Sequence, residues 1–446
     1  MYGNSKKMSD RKKLHIGMSL APTWLSGEGW RRADAPADGM FGSELYLDVA
    51  KRAEAAKMDF VFRPDTLFLH PEALGTGHGF ASLDPTVLLA ALARETSHIG
   101  LLTTISSTFF PPYVVARQLQ SLNWLSGGRA GWNIVTALEG NQNFGLTDMP
   151  SSQERYARAA EFVQLVTDLW ASFPNEALKF DKQSGLYADA AQVHEVAHKG
   201  DYYSVQGPLN VPAFEKVNGN GRIPLVQAGA SATGRRFAAS IADAIFASTP
   251  DREAAVELRA DLRRLAVNAG READDIRVLP GLSLYLAPTR AEARDLFTAT
   301  HARLDKARKF ASVKEMVGID LSDWPEDKPV TTSDLPAPPA TVRSRTHADL
   351  LRRLIERDSP TPAELLTRPE VVGSAHWQVI GTVSDAVDEI KAWAAAGAMD
   401  GFIALPGGSV DCMRSVMDDL VPTLTDEGLF RRDYDGATFI GHLTQA

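Results

Sequence analysis

The sequence predicts an α/β protein whose eight strand-helix units close into a (β/α)8 TIM barrel carrying two long insertions. Three observations predict it. Short apolar runs alternate with longer helical patterns along nearly the whole chain. The apolar runs are continuous, as strands covered on both faces require. Polar residues recur where those runs end, as they do at the C-terminal rim of a parallel barrel. The 446 residues exceed the core of about 250 residues that such a barrel usually needs. The surplus falls near 173–221 and 287–380, so residues 1–446 read as one barrel domain with two insertions.

In order, Leu14 to Leu20 is the first strand, and Leu45, Val49, Ala53 and Ala56 mark one face of the helix after it. Asp59 to Arg63 is the second, and Pro64-Asp65 puts a carboxylate at its rim. Asp84 as N-cap and Pro85 at the first helical position open an Ala/Leu-rich helix to about Glu95. Ile99 to Ile105 is the third strand, and Ser106, Ser107 and Thr108 lie where it emerges. Pro111 and Pro112 start a helix with Val115, Leu119 and Leu122 on one face, and Gly127-Gly128 supplies its left-handed stop. The fourth strand, Gly131 to Thr136, brings Asn133 and Thr136 to the same rim. Glu154 to Ala171 is helical, with Tyr156, Ala160, Val163 and Leu169 in its pattern, and Phe173 to Gly221 reads as irregular.

The alternation resumes with the strand Ile223 to Ala228, the turn Gly229-Ala230-Ser231 and a helix from Thr233 to Ser240. Free backbone N–H groups and a hydroxyl meet there at a helix N-terminus, which makes a seat for a phosphate. Ala244 to Ala247 and Val278 to Leu286 are further strands, with a helix from Arg252 to Asn268 between them. Within the second excursion, Asp320 to Thr341 is rich in Pro, Asp, Ser and Thr and reads as a loop. Ala386 to Ala396 is helical, Gly401 to Leu405 is the eighth strand, and Val410 to Leu420 the last helix. The competing architecture is an open doubly wound sheet; against a dinucleotide site on it, GTGHGF at Gly75 lacks the G-x-G-x-x-G spacing.

Composition narrows the function classes. A formal net charge of −9 and a pI of about 5.6 argue against non-specific nucleic-acid binding. The single cysteine, Cys412, rules out an intrachain disulfide and fits a reducing compartment. The basic start MYGNSKKMSDRKK is followed by no apolar run long enough for a signal peptide or a membrane span. A cytoplasmic protein without membrane or nucleic-acid partners is expected.

His194-Glu195-Val196-Ala197-His198 matches H-E-x-x-H, which on a helix sets two imidazoles on one face for zinc. Its context points elsewhere. The alternation Val193, Glu195, Ala197 and then Tyr203, Val205 around Lys199-Gly200 reads as a hairpin, in which the two histidines are not helical neighbours. The expectation is no metal, and a zinc hydrolase remains the remote alternative.

The run TTISSTFFPPYVVARQLQSLNWLSGGRAGWNIVTA, with RPDTL at Arg63, QERYARAAEF at Gln153, VQGPLNVP at Val205 and VQAGAS at Val226, resembles the two-component flavin monooxygenases of the bacterial luciferase superfamily. The family containing nitrilotriacetate monooxygenase component A and dibenzothiophene sulfone monooxygenase is nearest in look, from about Leu14 to the closing GLFRRDYDGATFIGHL. The resemblance implies a barrel that binds reduced FMN made by a separate NAD(P)H:flavin reductase. It also implies O2 as co-substrate, insertion of one oxygen atom into a small organic molecule, and a homo-oligomer, dimer or tetramer. A flavin- or deazaflavin-dependent dehydrogenase on the same barrel, and a flavin-binding protein without oxygenase activity, are the alternatives.

Carried over motif by motif, the resemblance implies that Asp65, Thr104, Asn133, Ser152, Tyr156, Gly229, Ala230 and Ser231 line or anchor FMN. Two positions depart from the family. Ser152 stands where a histidine is usual before x-x-R-Y, which keeps a hydrogen bond and loses a positive charge. Arg63 stands where many relatives have an apolar residue, and it is either a rim partner of Asp65 or a donor fork for an acidic substrate. No catalytic residue is identified, although His301, His347 and His376 fall in the second excursion and could reach the rim.

Overall fold

The computed structural model describes residues 12–214, 221–229, 231–339 and 342–444. Four barrel strands come first: β1 (His15–Ser19), β2 (Phe60–Arg63), β3 (Gly100–Ser106) and β4 (Ala130–Val135). Two antiparallel hairpins follow in the first excursion, β5 (Leu178–Asp181) with β6 (Leu186–Ala188) and β7 (His198–Lys199) with β8 (Ser204–Val205). The barrel resumes with β9 (Leu225–Gln227), β10 (Ala244–Ala247) and β11 (Arg277–Leu286). After β12 (Trp377–Gly381) it ends with β13 (Gly401–Pro406). Parallel ladders run β1, β2, β3, β4, β9, β10, β11, β13, and Ile16 of β1 pairs with Phe402 of β13, which closes the ring.

Each of the eight strands read from the sequence is therefore a stave of the closed barrel. β12 was not among them. β10 is short and pairs only with the first half of β11, from Ala244 opposite Arg277 to Ala247 opposite Pro280. The upper half of β11 keeps an unpaired edge on that flank, and β12 fills it from Trp377 opposite Leu282 to Gly381 opposite Leu286.

Helices cover the outside: α1 (Glu44–Ala55), α2 (Pro85–Glu95), α3 (Pro112–Ser126), α4 (Ser152–Ala171), α5 (Ala232–Ile241) and α6 (Arg252–Asn268). Asp84 caps α2 with its carboxylate on the Val87 amide, and Gly127 ends α3 at φ 69°, as their residue types require. The second excursion is not structureless. It holds α7 (Arg290–Thr300), α8 (Lys306–Val317), α9 (Arg345–Asp358) and the short α10 (Pro362–Leu365) and α11 (Pro369–Val372). Val313, Val317, Leu351, Leu354 and Ile355 of α8 and α9 pack with one another and with Val330, so this segment carries its own small core. α12 (Val383–Ala395) returns the chain to the barrel, and α13 (Val410–Ser415) continues through one π turn into α14 (Val421–Asp426).

Phe60, Phe62, Leu102, Val226, Leu279 and Ile403 fill the barrel lumen, and Phe439 and Leu443 of α15 (Phe439–Thr444) pack among them. Asp59, fully buried just before β2, accepts from the Ile16 amide at 2.7 Å and from Arg431 Nη2 at 2.5 Å, with His15 Nδ1 at 3.3 Å. This end is thus closed by packing and ion pairing. The C-terminal ends of the strands carry the polar residues.

Candidate functional site

Alternation decides what each strand shows to the mouth. Leu102 faces the lumen, so Thr104 and Ser106 of β3 do too, while Asn133 sits opposite Thr104 on β4. Thr104 Oγ1 donates to the Arg63 carbonyl at 2.8 Å and accepts from Asn133 Nδ2 at 2.9 Å. That relay spans the tops of β2, β3 and β4 and leaves Asn133 Oδ1 buried with no partner. Beside it, Asp65 lines a cavity of about 200 Å3 with Thr104, Val135, Thr136, Glu139 and Arg343. Burial, with Asp84 nearby, pushes the Asp65 carboxyl up to about 6, against the opposing pull of the Thr66 amide and Arg63.

Arg63 does not form the rim ion pair with Asp65 that the alternation allows; no carboxylate lies within 4.0 Å of it among the described residues. The side chain shares the outward parity of Val61. Its Nη1 donates to the Leu20 carbonyl at 2.7 Å, and its guanidinium lies 5.4 Å from the centre of the Tyr46 ring. It is almost fully buried, which lowers its pKa, and Nε has no partner.

Two helix starts meet at the turn after β9. Ser231 is the N-cap of α5, and its Oγ accepts from the Gly234 amide at 3.2 Å. The amides of Ala232 and Thr233 in the first turn have no protein partner among the described residues, as an anion site requires. Tyr156, one turn into α4, reaches the same place. Its Oη stands 2.3 Å from where a Cβ on Gly229 would lie and 2.7 Å from where one on Gly234 would lie. Only glycine admits the phenol so close to this backbone. The Gly229 amide is held by Gln227 Oε1 at 2.6 Å, so it is not one of the free donors expected of the turn. Ser152 is the first residue of α4, after the N-cap Ser151, and is exposed there. Ala230 lies outside the described residues.

Nine buried side-chain polar atoms have no partner among the described residues, and seven of them lie at the C-terminal end of the barrel. These are Trp24 Nε1, Arg63 Nε, Thr108 Oγ1, Asn133 Oδ1, Arg155 Nε, Thr249 Oγ1 and His376 Nδ1. Orphaned buried polar groups are rare in folded proteins, and of these seven Asn133 Oδ1 is the one joined to the cavity, through the bond from Asn133 Nδ2 to Thr104. Thr108 belongs to the hydroxyl run read after the third strand, whereas Trp24, Arg155 and Thr249 were not singled out in the sequence. Their one local signal is position, since each follows a barrel strand by a few residues or, for Arg155, opens the helix after one.

Over the mouth, Arg343 of the second excursion pairs with Glu139 at 2.6 Å, and Glu139 also meets His70 Nε2 at 3.0 Å. Phe109 stacks on Phe144 at 4.5 Å from the loops after β3 and β4. Nδ1 of His301 contacts the Phe297 carbonyl at 2.8 Å, and Nε2 of His347 the Ser374 carbonyl at 3.1 Å. The H-E-x-x-H tract is extended, with His198 in the β7–β8 hairpin and bonded to Glu161 of α4 at 2.9 Å. No group of three potential metal ligands occurs among the described residues.

A closed parallel barrel whose polar residues gather at the C-terminal ends of its strands, around an apolar, acid-edged cavity, has the architecture of an enzyme of the TIM-barrel class. The chain belongs to the luciferase-like monooxygenase family, whose model matches residues 32–400. It is 35% identical to N-acetyl-S-(2-succino)cysteine monooxygenase of Bacillus subtilis (strain 168), over 97% of each chain. It is 31% identical to nitrilotriacetate monooxygenase component A of Aminobacter aminovorans, over 98% of this chain and 97% of that one. A riboflavin lyase solved with modified FMN and riboflavin superposes with a TM-score of 0.83 at 28% identity, over 97% of this chain and 96% of that one. The protein is thus a flavin-dependent monooxygenase acting with O2, the oxygenase component of a two-component system. Among the described residues no helix is long and apolar enough to cross a membrane.

Proposed function

We propose that this oxygenase takes reduced FMN from a separate NAD(P)H:flavin reductase and inserts one atom of O2 into a small organic substrate bearing an acidic group. The observation that carries this is the N-terminus of α5, where the Ala232 and Thr233 amides are free among the described residues and the Tyr156 hydroxyl closes on Gly229 and Gly234. Ser231, the Ala232 and Thr233 amides and Tyr156 hold the phosphate, Gly229 gives it backbone clearance, and Ser152 opens the helix that carries Tyr156. Thr104, Asn133 and Asp65 line the flat ring. Bound reduced flavin supplies the electrons with which O2 becomes an oxygen-transfer agent.

The chain's own work is to bind, orient and keep water out. The second excursion lies across the mouth through Arg343 and Glu139, and the Phe109–Phe144 stack walls one side. An acidic substrate is supported by the two relatives, whose named substrates carry carboxylates. The buried thiol of Cys412 supports a reducing compartment, the cytoplasm, and a homo-oligomer is proposed on the family resemblance.

The test is reaction of reduced FMN, 18O2 and protein with N-acetyl-S-(2-succino)cysteine, nitrilotriacetate and dibenzothiophene sulfone, followed by mass spectrometry. Gain of one labelled oxygen atom in one compound is expected. Oxidation of FMN with peroxide as the sole product across acidic and neutral compounds alike would refute the substrate class.

A further inference from the structure

Across the mouth from the flavin residues, His376 occupies a position that no role above uses. It directly precedes β12, and its ring lies on Phe246 of β10, with centroids 5.0 Å apart and planes 24° from parallel. Phe246 in turn meets Phe62 edge-on at 5.4 Å, which places the pair in the uppermost layer of the lumen. β11 makes room for the imidazole. Gly281 shares the inward parity of Leu279, and a Cβ there would stand 2.5 Å from His376 Nδ1.

The two ring nitrogens are in different settings. Nδ1 is buried with no partner in hydrogen-bond geometry among the described residues and lies on the side of the Ala247 carbonyl; a proton carried there leaves Nε2 as the acceptor. Nε2 has no protein partner among the described residues and, unlike Nδ1, is not among the sealed atoms of this partly exposed residue. Burial, with His347 adding to it, pushes its pKa down to about 4, so it stays neutral and serves as an acceptor rather than as a proton store.

Position separates this group from the flavin. Asp65, Thr104, Asn133 and Gly229 belong to the tops of β2, β3, β4 and β9, whereas His376 stands over β10 and β11. We propose that His376 is a specificity-determining residue whose neutral imidazole accepts a hydrogen bond from an N–H or O–H group of the substrate. Substrates with such a donor near the oxidised atom are favoured, because a buried acceptor left unpaired penalises those without one. The proposal rests on the oxygenase reading of the mouth.

The test uses N-acetyl-S-(2-succino)cysteine and its N-methylated amide, which lacks the donor, in oxygen uptake with saturating reduced FMN. Wild-type protein is expected to prefer the N–H compound by roughly tenfold or more in kcat/KM. His376→Phe keeps the stack on Phe246 and loses the acceptor. It should erase the preference by raising KM for the N–H compound alone, with FMN affinity unchanged; His376→Gln should restore part of it. Equal handling of the two compounds by the wild type, including no response to either, would overturn the proposal. So would a preference that survives in His376→Phe, or a variant that loses FMN instead. Failure of the wild type to bind reduced FMN would overturn the reading of the mouth itself.

Discussion

Asp65→Asn should make the flavin-free protein more stable at pH 8 and bind reduced flavin less well. The carboxyl rises from 3.8 to about 6 on folding, chiefly through burial, with Asp84 adding repulsion and the Thr66 amide and Arg63 offsetting only part of it. Two pKa units at about 1.4 kcal/mol each set an upper bound of about 3 kcal/mol. Because Asp65 borders an open cavity, solvent screening brings the expected effect to about 1–2 kcal/mol. The sign follows from proton linkage. The native state holds this proton more tightly than the unfolded chain, so the penalty is absent below pH 3.8, grows as pH rises, and is complete above 6. Urea unfolding of both proteins at pH 4 and pH 8 tests this. Asparagine should shift the midpoint upward at pH 8 and leave it nearly unchanged at pH 4. A variant less stable than wild type at pH 8, or a gap that does not vary with pH, would refute the reasoning.

Arg63→Met should lower the urea midpoint, since the Leu20 carbonyl loses its donor, while KM for an acidic substrate and FMN affinity hold. Loss of FMN with an unchanged KM at saturating flavin would assign the arginine to the cofactor. Replacing His194 and His198 together by alanine should leave metal content and oxygenase activity essentially unchanged, since Glu161 keeps the Tyr202 and Tyr203 amides as partners; zinc that is stoichiometric in the wild type and lost in the variant would contradict this. Asp59→Asn should cost about 3–5 kcal/mol by stranding the Arg431 charge. Burial raises the Asp59 pKa, but Arg431, His15 and the Ile16 amide lower it further, so the cost in urea unfolding should shrink as pH falls below about 4.

The barrel was legible because its strands are covered on both faces and read as unbroken apolar runs, as GLLTTIS does in β3. β12 was not, since WQVIG is short, alternates in burial and emerges from a long excursion. α8 and α9 were missed for a related reason. Their apolar faces pack on each other rather than on a sheet, so no strand marked them out.

In the site, Ser231 could be read locally because a cap hydroxyl and its amide are three residues apart. Tyr156 needed the resemblance for its role, and the structure then placed its hydroxyl against Gly229. Glu139 with Arg343, and His376 with Phe246 and Gly281, carried no sequence signal at all, because each contact joins segments that only the closed barrel brings together.

The central claim is that the mouth binds reduced FMN by its phosphate at the start of α5. Anaerobic calorimetric titration of the protein with reduced FMN and with reduced riboflavin tests it most directly, repeated with Ser231→Asp. The wild type should bind reduced FMN far more tightly than reduced riboflavin. In Ser231→Asp, whose carboxylate would face the dianion at close range, that preference should vanish while riboflavin binding persists. Equal affinity of the wild type for the two flavins, or an FMN preference that survives the aspartate, would contradict it.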